Sequence, residues 1–286
     1  MFDRKTKNAE IFKETEYQCK TDMYLRQAIE NSLNSQYCLH EKSTVELPKM
    51  IEKPENKVVV SGKRTLEAAE VYAKQGKKVC VLNFASATNP GGGVIHGSSA
   101  QEEALCRCST LYPCLNTERM RKEFYMPHRK ADNPLYNADC IFTPGVKVFK
   151  SDGDFPELLK KSEWWDVDVI TCAAPNLRDK PSNRMNPGSG SKKASVTTED
   201  LKGIFEKRIR RIFEIAIREK AEVLILGAFG CGAFRNPPEV VAGVFAECTK
   251  KYGKYFDVIE YAVYHRDYEA VNYDVFKEKM GCFTSR

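Results

Sequence analysis

Apolar residues along most of the chain fall into short continuous runs that alternate with segments of helical periodicity. Residues 78–84 have the length and composition of a buried strand, whereas residues 201–217 place their apolar side chains on one helical face. Strands that alternate with amphipathic helices are typical of an α/β sandwich with a mixed or parallel central sheet. Six strands are predicted on this basis, at 58–60, 78–84, 140–149, 167–173, 222–227 and 256–264.

Capping residues and glycines mark the ends of the predicted helices. Thr197 precedes the helix over 201–217 and provides a hydroxyl cap. Gly76 closes a helix over 65–75. A further helix starts with proline in its first turn at Pro237 and ends at Gly253.

The first part of the chain has a different pattern. Residues 9–34 carry apolar side chains at loose helical spacing, and a polar, proline-containing passage over 40–55 follows them. We therefore predict an N-terminal helical extension at residues 1–56, packed on the core, and a main domain at residues 57–286. Residues 180–195 are basic and lack apolar periodicity, which predicts a mobile surface loop.

Two glycine-rich loops, at residues 83–93 and 227–234, follow predicted strands. Glycine lets backbone N–H groups approach a charged ligand, and such loops bind phosphate oxygens. Neither loop has the spacing of a dinucleotide fingerprint or a P-loop. Either one alone is also compatible with a simple tight turn. Two of them at successive strand ends favour a diphosphate site, because ligands of such sheets bind beyond the carboxyl ends of strands.

Two adjacent carboxylates, Glu102 and Glu103, fall in the first turn of the helix that follows the first glycine loop. Acidic residues in a first turn also complement the helix macrodipole, so their presence alone does not indicate catalysis. Their position after a ligand-binding loop favours a chemical role. Adjacent helical residues point about 100° apart, so we expect the two carboxylates to have separate tasks. They are not placed like the carboxylate pair that flanks the bond in a glycosidase.

The spacing of these motifs resembles the signature of poly(ADP-ribose) glycohydrolases, a catalytic branch of the macrodomain fold. In this sequence the signature is Gly91-Gly92-Gly93, seven further residues, then Gln101-Glu102-Glu103. Residues 230–234 resemble the diphosphate loop of that family. Segments 8–15, 83–87, 109–112 and 143–146 resemble its microbial form, so the resemblance covers most of the chain. Residues 235–238, Arg-Asn-Pro-Pro, depart from a Gly-Asn-Asp-Pro type segment, which affects the expected contacts to the distal ribose or adenine.

The resemblance implies a macrodomain-like three-layer α/β/α sandwich with a mixed central sheet. It implies an enzyme that cleaves the ribose–ribose O-glycosidic bonds of poly(ADP-ribose) and releases ADP-ribose, without a metal or organic cofactor. Glu103 would be the general acid and base, Glu102 and Asn89 would hold ribose hydroxyls, and Phe234 would pack against the terminal ribose. The other ligand-binding residues that it implies are Gly91, Gly92, Gly93, Gln101, Gly230, Cys231, Gly232 and Ala233.

The protonation state of Glu103 needs explanation, because a helix N-terminus lowers the pKa of a carboxyl group. A general acid near neutral pH needs a raised pKa. Burial, the neighbouring Glu102 and the diphosphate of the ligand all act in that direction. We therefore expect Glu103 to become a competent acid chiefly when substrate is bound.

Two other functions stay open on the sequence alone. The same residues suit a hydrolase that releases a single ADP-ribose from protein, nucleic acid or a small molecule, because the glycosidic carbon is common to these substrates. A non-catalytic ADP-ribose-binding module is the second alternative. The pair Glu102 and Glu103 argues against it, because a module that only binds ADP-ribose does not need an acid. The negative charges of the diphosphate would also repel the two carboxylates.

Composition narrows the class of protein further. With 42% apolar residues the chain of 286 residues is not disordered, and it contains no apolar run long enough to span a bilayer. The N-terminus lacks a secretory pattern, so we expect a cytosolic or nuclear protein whose 11 cysteines are free thiols. Cys106, Cys108 and Cys114 lack zinc-site spacing. The net charge of +6 is compatible with an anionic ligand, but scattered surface lysines give the same number. Without a basic arm we expect no sequence-specific nucleic-acid binding. We also expect a monomer.

Overall fold

A seven-stranded mixed sheet forms the centre of the computed structural model, which describes residues 3–49, 56–183, 186–266 and 268–284. The strands are β1 (Tyr37–Leu39), β2 (Lys57–Ser61), β3 (Val79–Phe84), β4 (Cys140–Val148), β5 (Trp165–Cys172), β6 (Val223–Leu226) and β7 (Val258–Ala262). Their order across the sheet is β1-β4-β5-β3-β6-β7-β2. The strands from β5 to β2 run parallel, whereas β4 is antiparallel to both of its neighbours.

Helices cover both faces of this sheet. The helices are α1 (Arg4–Thr21), α2 (Met23–Ser35), α3 (Thr65–Ala73), α4 (Gln101–Cys108), α5 (Leu111–Leu115), α6 (Glu118–Met120), α7 (Met126–Ala131), α8 (Thr198–Arg218), α9 (Pro238–Tyr252) and α10 (Val271–Thr284). A π-helical turn over Arg121–Tyr125 joins α6 to α7, and 3₁₀ turns lie at Val94–His96, Lys161–Glu163 and Gly253–Tyr255.

Successive residues of the central strands face opposite layers, because side chains alternate along a strand. In β3, Cys80 and Leu82 face the apolar cluster that α8, α9 and α10 complete. Val79 and Val81 face a second cluster that includes residues of α3 and α4. The predicted three-layer α/β/α sandwich with a mixed sheet is therefore confirmed.

All six predicted strands are present, with ends that differ by a few residues. The short strand β1 was not predicted, because three residues carry too little periodicity to identify a strand. Residues 180–195 contain no helix or regular strand in the part that the structure describes. The predicted surface loop does not lie at the surface along its whole length, because Ser189 is completely buried and bonds to Thr88 at 2.9 Å. Its mobility stays a prediction.

The N-terminal helices pack closely on the rest of the protein. The ring of Phe12 in α1 meets Tyr112 edge-on, with 4.9 Å between ring centroids. The fully buried Lys150 donates to the Ile11 carbonyl at 3.0 Å and to Glu14 at 2.7 Å. Strand β1 adds an edge to the sheet by pairing with β4. The boundary at residue 56 stays a prediction.

The sheet topology brings the two glycine loops together. Strand β3 leads directly into the first loop and β6 into the second, and these strands are parallel neighbours with Cys80 opposite Leu224. Parallel neighbours end at the same edge of a sheet, so both loops start there. This edge is where ligands bind in open α/β sheets.

Candidate active site

A cavity of about 490 Å³ lies at the edge where the two glycine loops meet. It is lined by residues of both loops, by the first turn of α4 and by residues that follow β5 and β7. Eight of the twelve residues that the sequence predicts for the site line it: Gly92, Gln101, Glu102, Glu103, Gly230, Gly232, Ala233 and Phe234.

The side chain of Gln101 ties the start of α4 to strand β3. Its amide nitrogen donates to the Leu82 carbonyl at 2.7 Å, and its amide oxygen accepts from the Phe84 N–H at 2.9 Å. The nitrogen also donates to Thr65 at 3.1 Å. Gln101 therefore fixes where the two following carboxylates stand, although it also lines the cavity.

The carboxyl groups of Glu102 and Glu103 both lie against Gly92. A Cβ on Gly92 would be 2.6 Å from Glu103 Oε1 and 3.0 Å from Glu102 Oε2. We expected the side chains to diverge around the helix. They approach the same point because helical side chains tilt towards the N-terminus, where the glycine loop passes. Gly92 has φ +58°, so this position requires glycine both for its backbone and for the space.

Glu102 is held by donors from the first glycine loop. It is 3% exposed and accepts from the Ser86 N–H at 2.8 Å and from Asn83 Nδ2 at 3.3 Å. Burial raises its pKa well above the ordinary value, and the charge of Glu103 adds to the effect. The carboxyl group of Glu102 therefore tends strongly to be protonated.

Glu103 is 7% exposed, and its two carboxyl oxygens differ in their contacts. Oε1 accepts from the Gly93 N–H at 2.8 Å, while Oε2 is buried with no hydrogen-bond partner among the described residues. Burial raises the pKa of Glu103, and it outweighs the lowering by backbone N–H groups. Burial alone therefore already acts in the direction that a general acid needs, and the further contribution that we expect from bound substrate stays a prediction.

The second glycine loop presents backbone donors to the cavity. Gly230 has φ +79°, and a Cβ there would be 2.4 Å from the Ala174 Cβ, so the loop is packed closely on the segment after β5. Within the described residues, the N–H groups of Gly232, Ala233 and Phe234 have no protein acceptor. Successive free N–H groups of this kind suit phosphate oxygens.

The first glycine loop uses its N–H groups differently. Those of Gly92 and Val94 bond to carbonyls within the loop, at 2.9 and 3.1 Å, and that of Gly93 bonds to Glu103. The first loop therefore uses the Gly93 N–H to position a carboxylate, whereas the second loop has three successive N–H groups without an acceptor among the described residues.

The other four predicted residues, Asn89, Gly91, Gly93 and Cys231, do not line the main cavity. Both ends of the Asn89 amide contact protein, since Nδ2 donates to the Gly92 carbonyl and Oδ1 accepts from Arg129 at 3.4 Å. A Cβ on Gly91 would be 2.7 Å from the Tyr112 ring. Cys231 is half-buried, and burial raises the pKa of its thiol.

The lining residues that the sequence did not point to include Arg64, Arg178, Asn186 and Tyr264. Arg178 lies over the Phe234 ring at 5.6 Å, and Arg64 lies over the Tyr264 ring at 4.1 Å. Arg178 and Tyr264 follow strands β5 and β7, whose carboxyl ends lie at the ligand edge. Their position just after predicted strands is the sequence feature that could have identified both as site residues.

No cluster of three or more His, Cys, Asp or Glu side chains suited to a metal ion occurs within residues 3–49, 56–183, 186–266 and 268–284. Cys106, Cys108 and Cys114 are buried free thiols. None of the helices described is long and apolar enough to cross a membrane.

Comparisons with known proteins agree with this geometry. The family described as microbial-type PARG, catalytic domain, where PARG is poly(ADP-ribose) glycohydrolase, matches residues 6–151. The structure is similar to PARG from Thermomonospora curvata, with 27% identity, a TM-score of 0.81, and 95% of this chain and 98% of that chain covered. The same enzyme bound to the inhibitor ADP-HPD matches at 27% identity and a TM-score of 0.79, over the same shares of the two chains.

A further similar structure is PARG from Deinococcus radiodurans in complex with ADP-ribose. It is 26% identical, with a TM-score of 0.74, and the match covers 90% of this chain and 98% of that chain. A comparison with curated proteins gives no match. Because the family match spans more than half of the 286 residues and the fold matches over most of the chain, this protein belongs to the family of microbial-type PARG catalytic domains.

Proposed function

We propose that this chain hydrolyses the ribose–ribose O-glycosidic bonds of poly(ADP-ribose) and releases ADP-ribose, with Glu103 as the general acid and base. One observation carries the proposal: a buried carboxyl group with a raised pKa lines a cavity bounded by both glycine loops. Family membership and the ADP-ribose complex of a similar PARG support it.

In the first step, protonated Glu103 donates its proton to the 2′-oxygen that links two ribose units. The bond between that oxygen and the anomeric carbon breaks, the electron pair leaves with the oxygen, and an oxocarbenium-like cation forms on the ribose. Water then attacks the cation, and the Glu103 carboxylate takes the proton of the water. One carboxyl group thus acts as acid and then as base, and ends protonated as it began.

The second glycine loop binds the diphosphate in this proposal. The free N–H groups of Gly232, Ala233 and Phe234 are the available donors, and the Phe234 ring packs against the terminal ribose. Glu102 faces the same cavity, where it accepts from a ribose hydroxyl. Asn89 acts through the first loop, because its amide already bonds to that loop and to Arg129.

The raised pKa of Glu103 gives the acid step a physical basis. A general acid works best when its pKa lies near the operating pH. An exposed glutamate is almost fully ionised at neutral pH, because its pKa is about 4.3. Burial against Gly92 and the first loop moves Glu103 in the required direction.

The proposal is tested by incubating the protein with labelled poly(ADP-ribose) and, separately, with a protein that carries a single ADP-ribose. We expect release of ADP-ribose from the polymer and a loss of turnover of about 10²- to 10⁴-fold in Glu103→Gln, the usual contribution of general acid–base catalysis. Glu199→Gln is the matched control, because Glu199 is an exposed glutamate in the first turn of α8.

Each alternative function corresponds to a distinct result of this experiment. Release only from the mono-modified protein would identify a mono-ADP-ribosyl hydrolase. ADP-ribose binding without release from either substrate would identify a binding module. A monomeric state, a cytosolic location and the absence of sequence-specific nucleic-acid binding stay predictions.

A further inference from the structure

We propose that Cys140 and Cys172 form a reversible disulfide bond, and that this bond lowers turnover at the active site. Cys140 is the first residue of β4 and Cys172 is the last residue of β5. Both are free thiols and fully buried. The bond itself is independent of the proposed function, whereas its effect on turnover rests on that function.

The two cysteines lie directly opposite each other across the antiparallel strands β4 and β5. Directly opposed residues of an antiparallel pair have Cα atoms about 4.5 or 5.5 Å apart, depending on the hydrogen-bond pattern. Both distances fall within the range of about 4.4–6.8 Å that a disulfide bridge spans. No other two cysteines are directly opposed in the strands that the structure describes. The backbone therefore already holds this pair where a bridge can join it.

Both side chains also point to the same layer of the fold. Cys140 and Cys172 belong to the apolar cluster that α8 helps to complete, and their thiols form a hydrogen bond with each other. A disulfide forms when one sulfur attacks the other directly. The contact between the thiols allows this attack without any change in the register of the strands.

A buried cation lies near the pair. Arg208 of α8 is 1% exposed, and its guanidinium donates to the carbonyls of Leu135 and Asn137, the latter at 3.2 Å. Its Nη1 is buried without a partner among the described residues, and the same is true of Nη1 of Arg211. A buried cation without a counter-ion is unfavourable. The surroundings of the pair therefore favour the anionic form of a thiol.

The two cysteines differ in their acidity. The hydrogen bond from Cys140 lowers the pKa of Cys172, and the charges of Arg208 and Arg211 add to this lowering. Burial and the charge of Asp139 oppose the lowering without cancelling it. The same hydrogen bond raises the pKa of Cys140. Because the thiolate is the nucleophile in thiol chemistry, Cys172 is the attacking residue and Cys140 the resolving one.

Hydrogen peroxide is an oxidant that would form the bond. The Cys172 thiolate attacks one oxygen, the O–O bond breaks, and the departing hydroxide takes up the proton that Cys172 had released. This step leaves a sulfenic acid on Cys172. The Cys140 sulfur then attacks the Cys172 sulfur, the S–O bond breaks, and the second hydroxide takes the Cys140 proton. Two thiols and one peroxide thus give one disulfide and two waters, and a dithiol reductant reverses the bond by exchange.

The Cys172 carbonyl connects the pair to the first glycine loop. It accepts from the Ala85 N–H at 3.0 Å, and the next residue, Ser86, donates its N–H to Glu102 at 2.8 Å. A covalent bond brings two sulfur atoms closer together than a hydrogen bond between thiols does. The end of β5 must therefore move when the bridge forms, and we expect the loop that holds Glu102 to move with it.

The residues after β5 connect the pair to the second glycine loop. Ala174 lines the main cavity, and its Cβ would be 2.4 Å from a Cβ on Gly230. A movement at the end of β5 therefore also reaches the second loop. Ala174 is two residues from Cys172, so a small uncharged molecule such as hydrogen peroxide has a short path from the cavity to the pair.

The test treats the reduced protein with hydrogen peroxide and maps its disulfide bonds by mass spectrometry. Turnover of poly(ADP-ribose) is measured before oxidation, after it, and again after a dithiol reductant. Cys140→Ala and Cys172→Ala each remove one thiol of the pair. Cys80→Ala is the matched control, because Cys80 is fully buried in the same cluster on the neighbouring strand β3, where Asp168 is its partner on β5.

We expect peroxide to link Cys140 to Cys172 in the wild type and in Cys80→Ala. Turnover of both proteins should fall about tenfold to a hundredfold, because a displacement of about 1 Å can cost about 10²-fold in rate. It should recover on reduction. Cys140→Ala should form no bridge and should instead carry a sulfenic acid on Cys172, which dimedone labels. In Cys172→Ala, Cys140 should stay unmodified.

Three results would contradict this inference, and they are distinguishable. If peptides of the oxidised wild type show no link between Cys140 and Cys172, the disulfide is wrong and the proposed function stands. This mapping needs no variant, so it holds even if a variant does not fold. A link that leaves turnover unchanged would overturn the effect on the active site. If the reduced wild type leaves the polymer intact, the proposed function fails, and of this inference only the effect on turnover fails with it.

Discussion

Glu102 and Glu103 are carboxyl groups that the fold removes from water. Both carboxyl groups lie against Gly92, and the charge of Glu103 contributes to the raised pKa of Glu102. A carboxylate in such a place destabilises the folded protein unless it is protonated or fully hydrogen-bonded. The buried carboxyl groups that the proposed catalysis needs therefore lower the stability of the folded protein, and this loss of stability can be measured.

Glu102→Gln should stabilise the protein at neutral pH. Because the folded-state pKa lies above the unfolded value, the stability contributed by this group is fully present below the unfolded pKa and is lost as pH rises through the folded pKa. The amide removes that loss. Asn83 Oδ1 has no partner among the described residues and is available to accept from the new amide.

Thermal unfolding at a series of pH values checks this prediction. The Tm of Glu102→Gln should exceed that of the wild type at about pH 8, and the difference should shrink towards about pH 4, near the usual glutamate pKa. A constant difference across this range would show that the effect is not one of protonation.

The pH dependence of catalysis should reveal the raised pKa of Glu103 in the free enzyme. The profile of kcat/KM reports groups of the free enzyme, and that of kcat reports groups of the complex. Burial raises this pKa without substrate. The kcat/KM profile should therefore lose activity with rising pH through a group that titrates above an ordinary glutamate. A loss seen only in the kcat profile would mean that substrate creates the acid.

Gly92→Ala should impair both catalysis and folding. The new Cβ would lie 2.6 Å from Glu103 Oε1 at φ +58°, so the carboxyl group must move and the backbone is strained. We expect a loss of unfolding free energy of about 1–3 kcal/mol for the strained backbone, and a loss of turnover.

Gly76→Ala is the control for Gly92→Ala. Gly76 has φ +77° with nothing within 4 Å of a Cβ, so it carries the backbone strain without the contact. Denaturant unfolding and polymer turnover should show similar strain in both variants and a loss of turnover in Gly92→Ala alone. Normal turnover in Gly92→Ala would show that the position of the Glu103 carboxyl is not critical.

At the scale of elements, α1 supports the loop that precedes the catalytic helix α4. A Cβ on Gly97 would lie 1.8 Å from the Lys5 carbonyl oxygen, so the backbones of loop and helix are almost in contact. Thr15 in α1 also donates to the Arg107 carbonyl of α4 at 2.6 Å. The N-terminal helix thus helps to position the site although it contributes no catalytic residue.

Gly97→Ala should detach the start of α1 from this loop. We expect a loss of stability of about 1–3 kcal/mol from overpacking, together with faster amide hydrogen exchange over the first turns of α1. Gly145→Ala is the control, because Gly145 has φ +60° and its nearest neighbour is 4.0 Å away. Unchanged exchange in α1 of Gly97→Ala would contradict the close docking described here.

The elements that could be predicted from the sequence are those long enough to show a clear pattern of apolar residues. Strand β3 and helix α8 carry continuous or regularly spaced apolar residues, and both were identified close to their observed ends. The three-residue strand β1 carries too little pattern for such a prediction. The burial of Ser189 depends on Thr88, which is distant along the chain, so local pattern does not reveal it.

At the scale of the molecule, the parallel pairing of β3 and β6 creates the site. Residues 83–93 and 227–234 are far apart in sequence, yet they line one cavity because these strands end at the same edge. The sequence motif predicted Glu103 and both loops. The division of labour between the loops was not predictable, because it depends on which N–H groups find partners after folding. The packing of Arg178 over the Phe234 ring likewise depends on three-dimensional proximity.

The most direct test of the account is a structure of the protein in complex with ADP-ribose. We predict diphosphate oxygens within about 2.7–3.2 Å of the N–H groups of the second glycine loop. A carboxyl oxygen of Glu103 should lie within the same distance of the hydroxyl on the anomeric carbon of the terminal ribose. ADP-ribose bound outside the cavity shared by the two loops, or a Glu103 carboxyl out of reach of that hydroxyl, would contradict the account.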